Sequence, residues 1–165
     1  MSLSLPPVIL VDTSVLCALL KVPNRDSEAA LCAETLKQYV AEQAALLLPM
    51  ATLLETGNHI AQNGDERQRL HTAKLFVALV EGGLRDRPSP FAVAKFPDEP
   101  TLRKWLAVFP EKASLNAQRR KGLGLGDVSI LDEYERQCAQ NPRRLVRIWT
   151  LDHGLRRERP PASRM

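Results

Sequence analysis

The chain has 165 residues, of which 44% are hydrophobic and 25% charged, and its formal net charge is +4. This composition is typical of one soluble globular domain with a sizeable core, and it excludes an intrinsically disordered chain. No run of about eighteen apolar residues is present, so no membrane-spanning helix is predicted.

Short apolar runs alternate with amphipathic stretches along the chain. The short runs predict β-strands and the longer stretches between them predict helices. The predicted strands are residues 8–11, 46–48, 91–96 and 145–150. The predicted helices follow an apolar stretch at 15–20 and cover 25–43, 52–62, 66–81, 101–109, 111–121 and 127–140. Loops or turns are predicted at 63–65, 85–90 and 122–126, a short turn or helix at 152–157, and a frayed tail at 158–165.

Strands separated by helices throughout favour the α/β class. The sequence therefore predicts one domain over residues 1–165, with its core at about 8–157. Its centre should be a parallel sheet of four to five strands with helices on both faces.

Acidic side chains recur where these strands end. Asp12 directly follows the first strand, and Glu55 is predicted in the first turn of the helix after the second. Asp127 opens the helix after the glycine-containing turn, and Asp152 comes just after the fourth strand. Because ligands of such sheets bind at the carboxyl ends of the strands, we expect the four carboxylates to share one rim. Each also has a local explanation: three aspartates suit helix N-caps, and Thr52 with Glu55 fits a capping box.

Gathered carboxylates repel one another unless a cation neutralises them. An all-oxygen donor set without clustered histidine or cysteine suits Mg²⁺ or Mn²⁺ and not zinc. A cation of this kind next to a basic surface favours phosphodiester hydrolysis by an activated water, without a protein nucleophile.

Basic residues concentrate in the last third of the chain. Residues 101–165 carry 14 basic and 7 acidic side chains, whereas residues 1–100 carry 9 and 12. Two basic clusters flank predicted cation ligands and are candidates for phosphate contact, with solvated helix faces as the alternative. The clusters are Arg119, Arg120 and Lys121 before Asp127, and Arg156 and Arg157 after Asp152. Trp105 is a candidate for base stacking, and Trp149 is expected in the core.

Three cysteines, Cys17, Cys32 and Cys138, have no metal-type spacing and are odd in number. They predict buried thiols in a reducing cytoplasm. The first residues lack a basic stretch, and Pro6 and Pro7 interrupt the segment where an apolar helix would be needed. No signal peptide is therefore expected. His59, four residues after Glu55, is interpreted as an ordinary polar helix position, with a metal role as the alternative. Asn58 is a weaker candidate for the site, and Gly122, Gly124 and Gly126 are interpreted as a flexible turn.

Four motifs together resemble the PIN-domain nucleases. They are Val8-Ile-Leu-Val-Asp12-Thr-Ser14, Leu47-Leu-Pro49 with Thr52-Leu-Leu-Glu55, Gly124-Leu-Gly-Asp127-Val-Ser-Ile130, and Val146-Arg-Ile-Trp-Thr150-Leu-Asp152. Their order and spacing cover residues 8 to about 157. The last motif departs from the family, where Asp or Asn followed by Phe is common, because Gly154 and Leu155 stand there.

The resemblance implies a Mg²⁺- or Mn²⁺-dependent endoribonuclease. The implied ligands are Asp12, Glu55, Asp127 and Asp152, bound directly or through water, and the hydroxyls of Ser14 and Thr150 would orient ligands or waters. Among bacterial and archaeal members of the family, the commonest proteins of this size are VapC-like toxins of toxin–antitoxin pairs, which form homodimers. The resemblance therefore implies a homodimer and an antitoxin protein that occupies the acidic groove.

Other functions stay open on sequence grounds. The fold could serve RNA processing, act on DNA, or bind RNA without cleaving it. Asp12, Ser14 and Leu16 partly resemble the Asp-x-Ser-x-Ser site of von Willebrand factor A-type binding modules, but leucine replaces the last serine. A phosphatase with an aspartyl nucleophile would need a second aspartate where Ser14 stands.

Overall fold

The computed structural model describes residues 5–85, 89–114 and 122–162. Within them the chain forms eleven elements. In order they are β1 (Val8–Val11), α1 (Thr13–Leu19), α2 (Ala29–Ala41), β2 (Ala45–Leu48), α3 (Met50–Gln62), α4 (Glu66–Leu84), β3 (Phe91–Val93), α5 (Glu99–Ser114), α6 (Leu125–Gln140), β4 (Val146–Trp149) and β5 (Arg157–Arg159).

The strands form one sheet in the order β3-β2-β1-β4-β5. The first four are parallel, and β5 runs antiparallel to β4 at the edge. The predicted α/β class and mostly parallel sheet are thereby confirmed. All four residues of β1 are buried because this strand lies at the centre of the sheet with helices on both faces.

Alternation along β1 divides the core into two layers. Ile9 and Val11 pack with α1, α2 and α3 on one face of the sheet. Val8 and Leu10 pack on the other face against Ile130 and other residues of α6. Since successive side chains of a strand point to opposite faces, one four-residue strand holds both layers together. Among the described residues, none of the helices combines the length and apolar character needed to cross a bilayer.

Several element boundaries differ from the sequence prediction. Helix α4 continues through Gly82 and Gly83 to Leu84, and α5 continues through Pro110 to Ser114. Helix α6 begins at Leu125, so Gly126 is helical and not part of a turn. Helix α2 begins later than predicted, at Ala29, which leaves residues 20–28 as a connection.

The structured chain also extends past the predicted core boundary at residue 157. Glu158 pairs with Arg147 across the β4–β5 ladder, and the guanidinium of Arg159 donates a 2.7 Å hydrogen bond to the carbonyl of Asn141. Arg157, Glu158 and Arg159 show no apolar periodicity, so the sequence contains no strand signal here. Their pairing in the sheet depends on these long-range contacts. Residues 163–165 of the predicted tail lie outside the described residues.

Candidate functional site

The carboxyl ends of β1 and β4 bring Asp12 and Thr150 together. These strands pair in parallel, Val11 opposite Trp149, and the amide of Asp12 donates to the carbonyl of Trp149 at 3.0 Å. The chain therefore leaves both strands at the same level. Asp12 then caps α1, accepting a 3.4 Å bond from the amide of Ser14.

A hydroxyl pair holds the Asp12 carboxylate, which is only 5% exposed. Ser14 Oγ donates to Asp12 Oδ2 at 2.7 Å, and Thr150 Oγ1 donates to the same oxygen at 2.8 Å. Ser14 Oγ in turn accepts a hydrogen bond from the amide of Leu151, and Thr150 Oγ1 accepts one from the amide of Asp152. These amides direct both hydroxyl protons toward Asp12, while no described residue donates a hydrogen bond to Asp12 Oδ1.

Helix α3 places Glu55 beside this group. The fully buried hydroxyl of Thr52 donates to the carbonyl of Val11 at 2.8 Å and thus ties the first turn of α3 to the end of β1. Glu55 follows three residues later, and its Oε2 accepts a 3.0 Å bond from Thr13 Oγ1. The predicted capping box of Thr52 and Glu55 is wrong, because the helix begins at Met50 and both side chains bind β1 or α1 instead. Glu55 is in the second turn.

Helix α6 approaches Glu55 through a glycine. A Cβ on Gly126 would lie 2.2 Å from Glu55 Oε1, so only glycine admits the carboxylate in its present position. The next residue is Asp127, whose Oδ2 accepts a 3.2 Å bond from the amide of Gly124. Asp127 is therefore in the first turn of α6 and is not its N-cap, which is Gly124.

All four predicted acids line one cavity of about 520 Å³. Asp152 joins them from the turn after β4, with its Oδ1 accepting a 2.7 Å bond from the amide of Gly154. The cavity is also lined by Thr13, Ser14, Cys17, Asn24, Arg25, Ser27, His59, Leu151 and Leu155. The sequence prediction that these carboxylates share one rim is thus matched by their positions, while their role as cation ligands stays a prediction.

The pKa of Glu55 responds to burial and to its neighbours in the cavity. Partial desolvation raises the pKa of Glu55, the Thr13 hydrogen bond opposes that change, and the charges of Asp127 and Asp12 raise the pKa further. Glu55, Asp127 and Asp12 therefore repel one another, and a bound cation would relieve this repulsion.

The donor set fits a hard divalent cation that keeps part of its water shell. Its members are carboxylate oxygens, and Asp12 Oδ1 and Glu55 Oε1 receive no hydrogen bond from a described residue. In the ranges 5–85, 89–114 and 122–162, no group of three or more acidic, histidine or cysteine side chains forms a ready-made metal site. A cation here would therefore complete its coordination with water, as Mg²⁺ commonly does.

His59 and Arg25 were not predicted as site residues, yet both line the cavity. The Nδ1 atom of His59 is buried without a hydrogen-bond partner among the described residues, and burial, with a contribution from the charge of Arg25, lowers the pKa of His59. The four-residue spacing from Glu55 was the available signal for His59, whereas Arg25 lies in a connection that was predicted as helix. Asn58 is exposed and outside the cavity wall.

The basic and aromatic candidates that the structure describes do not line the carboxylate cavity. Arg156 and Arg157 are exposed beyond Asp152 and do not line the carboxylate cavity, while Arg119, Arg120 and Lys121 lie outside the described residues. The predicted core position of Trp149 matches the structure: it is 8% exposed and makes an edge contact with Tyr39, with ring centroids 5.2 Å apart. Trp105 lines a second, largely apolar cavity of about 250 Å³. Glu55 lines both this cavity and the carboxylate cavity, and Gly126 lines the apolar one.

Comparison with protein-family models found no match, and comparison with curated proteins found no significant match.

Proposed function

We propose that the chain is a Mg²⁺- or Mn²⁺-dependent endoribonuclease that hydrolyses phosphodiester bonds. The observation that carries this proposal is the convergence of four carboxylates on one cavity at the carboxyl end of a parallel sheet. The resemblance of the motifs around these residues to PIN-domain nucleases supports the same activity.

Asp12, Glu55, Asp127 and Asp152 would hold the cation. When bound, a divalent cation would lower the pKa of a water molecule and polarise a phosphoryl oxygen. The residues of the chain prepare the site for it: Ser14 and Thr150 fix one oxygen of Asp12, Thr13 fixes one oxygen of Glu55, and Gly126 admits the Glu55 carboxylate. Such hydrogen-bonded support holds ligands in a defined orientation.

Trp105 and the basic side chains are proposed to bind the RNA. The indole of Trp105 is held by a 2.9 Å bond from Nε1 to Asp132 Oδ2 and lines the cavity adjoining Glu55, where a base beside the cut could stack. The clusters Arg119–Lys121 and Arg156–Arg157 are proposed to contact phosphates along the strand.

The test is cleavage of end-labelled RNA and DNA oligomers by purified protein with Mg²⁺, with Mn²⁺ and with a chelator. Asp12→Asn and Asp127→Asn are expected to abolish cleavage without loss of the circular dichroism spectrum. Glu42→Gln, an exposed carboxylate at the end of α2, is the control and should cleave like wild type. Cleavage of wild-type strength by the folded protein that carries both substitutions would overturn the proposal. Cleavage of DNA in preference to RNA would reassign the substrate.

We also propose that the protein acts as the toxin of a toxin–antitoxin pair, as a cytoplasmic homodimer. The free thiols of Cys17, Cys32 and Cys138 suit a reducing compartment. In α4 only Thr72 is buried, and Leu70 and Val77 are 57% and 55% exposed, which suits contact with another protein chain. Growth arrest on expression, absent for Asp12→Asn and relieved by the product of a small adjacent gene, is expected; unimpaired growth would favour an RNA-processing role.

A further inference from the structure

The connection between α1 and α2 forms one wall of the carboxylate cavity. Its residues Asn24, Arg25 and Ser27 all line the cavity. The path of the backbone is held by the fully buried Val22 and by left-handed conformations at Lys21 and Asn24, with φ of 54° and 64°. The amide of Arg25 donates to the carbonyl of Val22 at 2.9 Å. A fixed turn therefore presents Arg25 to the cavity.

Arg25 forms no hydrogen bond or ion pair with any residue that the structure describes, although four carboxylates line the same cavity. Its side chain is exposed to solvent. Other exposed arginines, such as Arg67 and Arg143, also have no side-chain partner among the described residues, but they do not line this cavity. An unpaired guanidinium facing an acidic cavity is placed to bind an anion that enters it.

A nucleic-acid strand that enters this cavity meets a strong electrostatic obstacle. The carboxylates repel its phosphates, and a single divalent cation would not neutralise four of them. A guanidinium that lines the same cavity offsets this repulsion and can bind two phosphate oxygens at once through its planar fork of donors. The charge of Arg25 already acts on the cavity wall, since it contributes to the lowered pKa of His59.

We infer that Arg25, with the neighbouring Ser27 hydroxyl, forms a phosphate-binding subsite that holds one phosphodiester of the bound strand beside the carboxylates. This inference rests on the proposed function for its ligand class. The subsite is built by the α1–α2 connection, and neither Arg156 nor Arg157 lines the cavity that contains it.

The test measures equilibrium binding of a fluorescent single-stranded RNA in the presence of a chelator, so that no cleavage occurs. Arg25→Gln is expected to weaken binding about tenfold or more, in line with the loss of one charge-assisted contact. The slope of log K against log salt should fall by about 0.7, the value for one phosphate contact on a single strand. Arg25→Lys should restore part of the affinity. Lys21→Gln is the matched control, because it removes one charge from the same connection outside the cavity wall.

The position of the contact is tested with RNAs carrying one neutral methylphosphonate linkage each. In the wild-type protein one linkage should weaken binding most, and in Arg25→Gln that same linkage should have no further effect. Equal effects of Arg25→Gln and Lys21→Gln, or an unchanged linkage profile in Arg25→Gln, would overturn the subsite.

The two proposals can fail separately. Metal-dependent cleavage by wild type together with unchanged binding by Arg25→Gln overturns the subsite and leaves the nuclease. An Arg25-dependent linkage profile in a protein that cleaves no nucleic acid under any metal supports the subsite and overturns the nuclease.

Discussion

Thr150 Oγ1 donates a 2.8 Å hydrogen bond to Asp12 Oδ2, although 138 residues separate the two in sequence. The same hydroxyl accepts the amide of Asp152 at 2.9 Å. One side chain therefore connects the end of β1 with the turn that carries another predicted ligand.

Replacing Thr150 with Val should remove both contacts while keeping the shape of the side chain. We expect a loss of about 2 kcal/mol in the free energy of unfolding, because a buried carboxylate loses one of its donors and an amide loses its acceptor. Urea denaturation measures the change. Thr150→Ser retains the hydroxyl and should lose less than half as much, so equal losses in both variants would contradict this account.

Gly126→Ala should separate activity from stability. Its Cβ would meet the end of the flexible Glu55 side chain at 2.2 Å, so the carboxylate must move while the backbone can stay. We expect metal-dependent cleavage to fall at least tenfold, with the melting temperature nearly unchanged.

The control is Gly57→Ala in the middle of α3, where a Cβ would meet nothing within 4 Å. Alanine is favoured over glycine in helices by about 1 kcal/mol, so this variant should be more stable and fully active. Normal cleavage by Gly126→Ala would show that the present position of Glu55 is not needed.

The pH dependence of stability should reveal the raised pKa of Glu55 in the metal-free protein. Because this group binds its proton more tightly in the folded state than in the unfolded state, its contribution to stability is greatest below the ordinary pKa of 4.5 and decreases as pH rises above it. Glu55→Gln should therefore be more stable than wild type at neutral pH with a chelator, and the difference should shrink in acid. Added Mn²⁺ should raise the melting temperature of wild type but not of Glu55→Gln.

Asp132 should stabilise the packing of α5 on α6. Its carboxylate accepts hydrogen bonds from Trp105 Nε1 and Lys104. Partial desolvation raises the pKa of Asp132, but these hydrogen bonds and the charges of Lys104 and Arg136 together lower it further than desolvation raises it. A depressed pKa stabilises the fold above the unfolded value of 3.8, and this contribution is lost as pH falls below it. Asp132→Asn should destabilise the protein at neutral pH by about 1 kcal/mol. Glu135→Gln on the same helix is the control; an equal loss there would point to net charge alone.

The sequence predicted the class of fold and the neighbourhood of the acids because both follow from short-range patterns. Buried apolar runs such as Val8–Val11 identify central strands, and an acid directly after such a run must lie at the carboxyl edge of the sheet. Asp12 and Asp152 could be located in this way.

Features that depend on distant contacts were not predicted. Strand β5 consists of Arg157, Glu158 and Arg159, whose pairing comes from β4 and Asn141 and not from their own propensities. The role of Gly126 depends on the approach of α6 to Glu55. The position of Arg25 depends on left-handed backbone conformations at Lys21 and Asn24, neither of which is a glycine. A single sequence read by periodicity contains little trace of either.

The central position of β1 has a consequence for synthesis of the chain. Its neighbours β2 (Ala45–Leu48) and β4 (Val146–Trp149) lie far apart in the sequence, and the second hydroxyl that holds Asp12 is supplied by the residue after β4. During translation, β1, β2 and α3 emerge well before this residue. The site around Asp12 can therefore be completed only after Thr150 has left the ribosome. A nascent chain would carry Asp12 and Glu55 without a finished site.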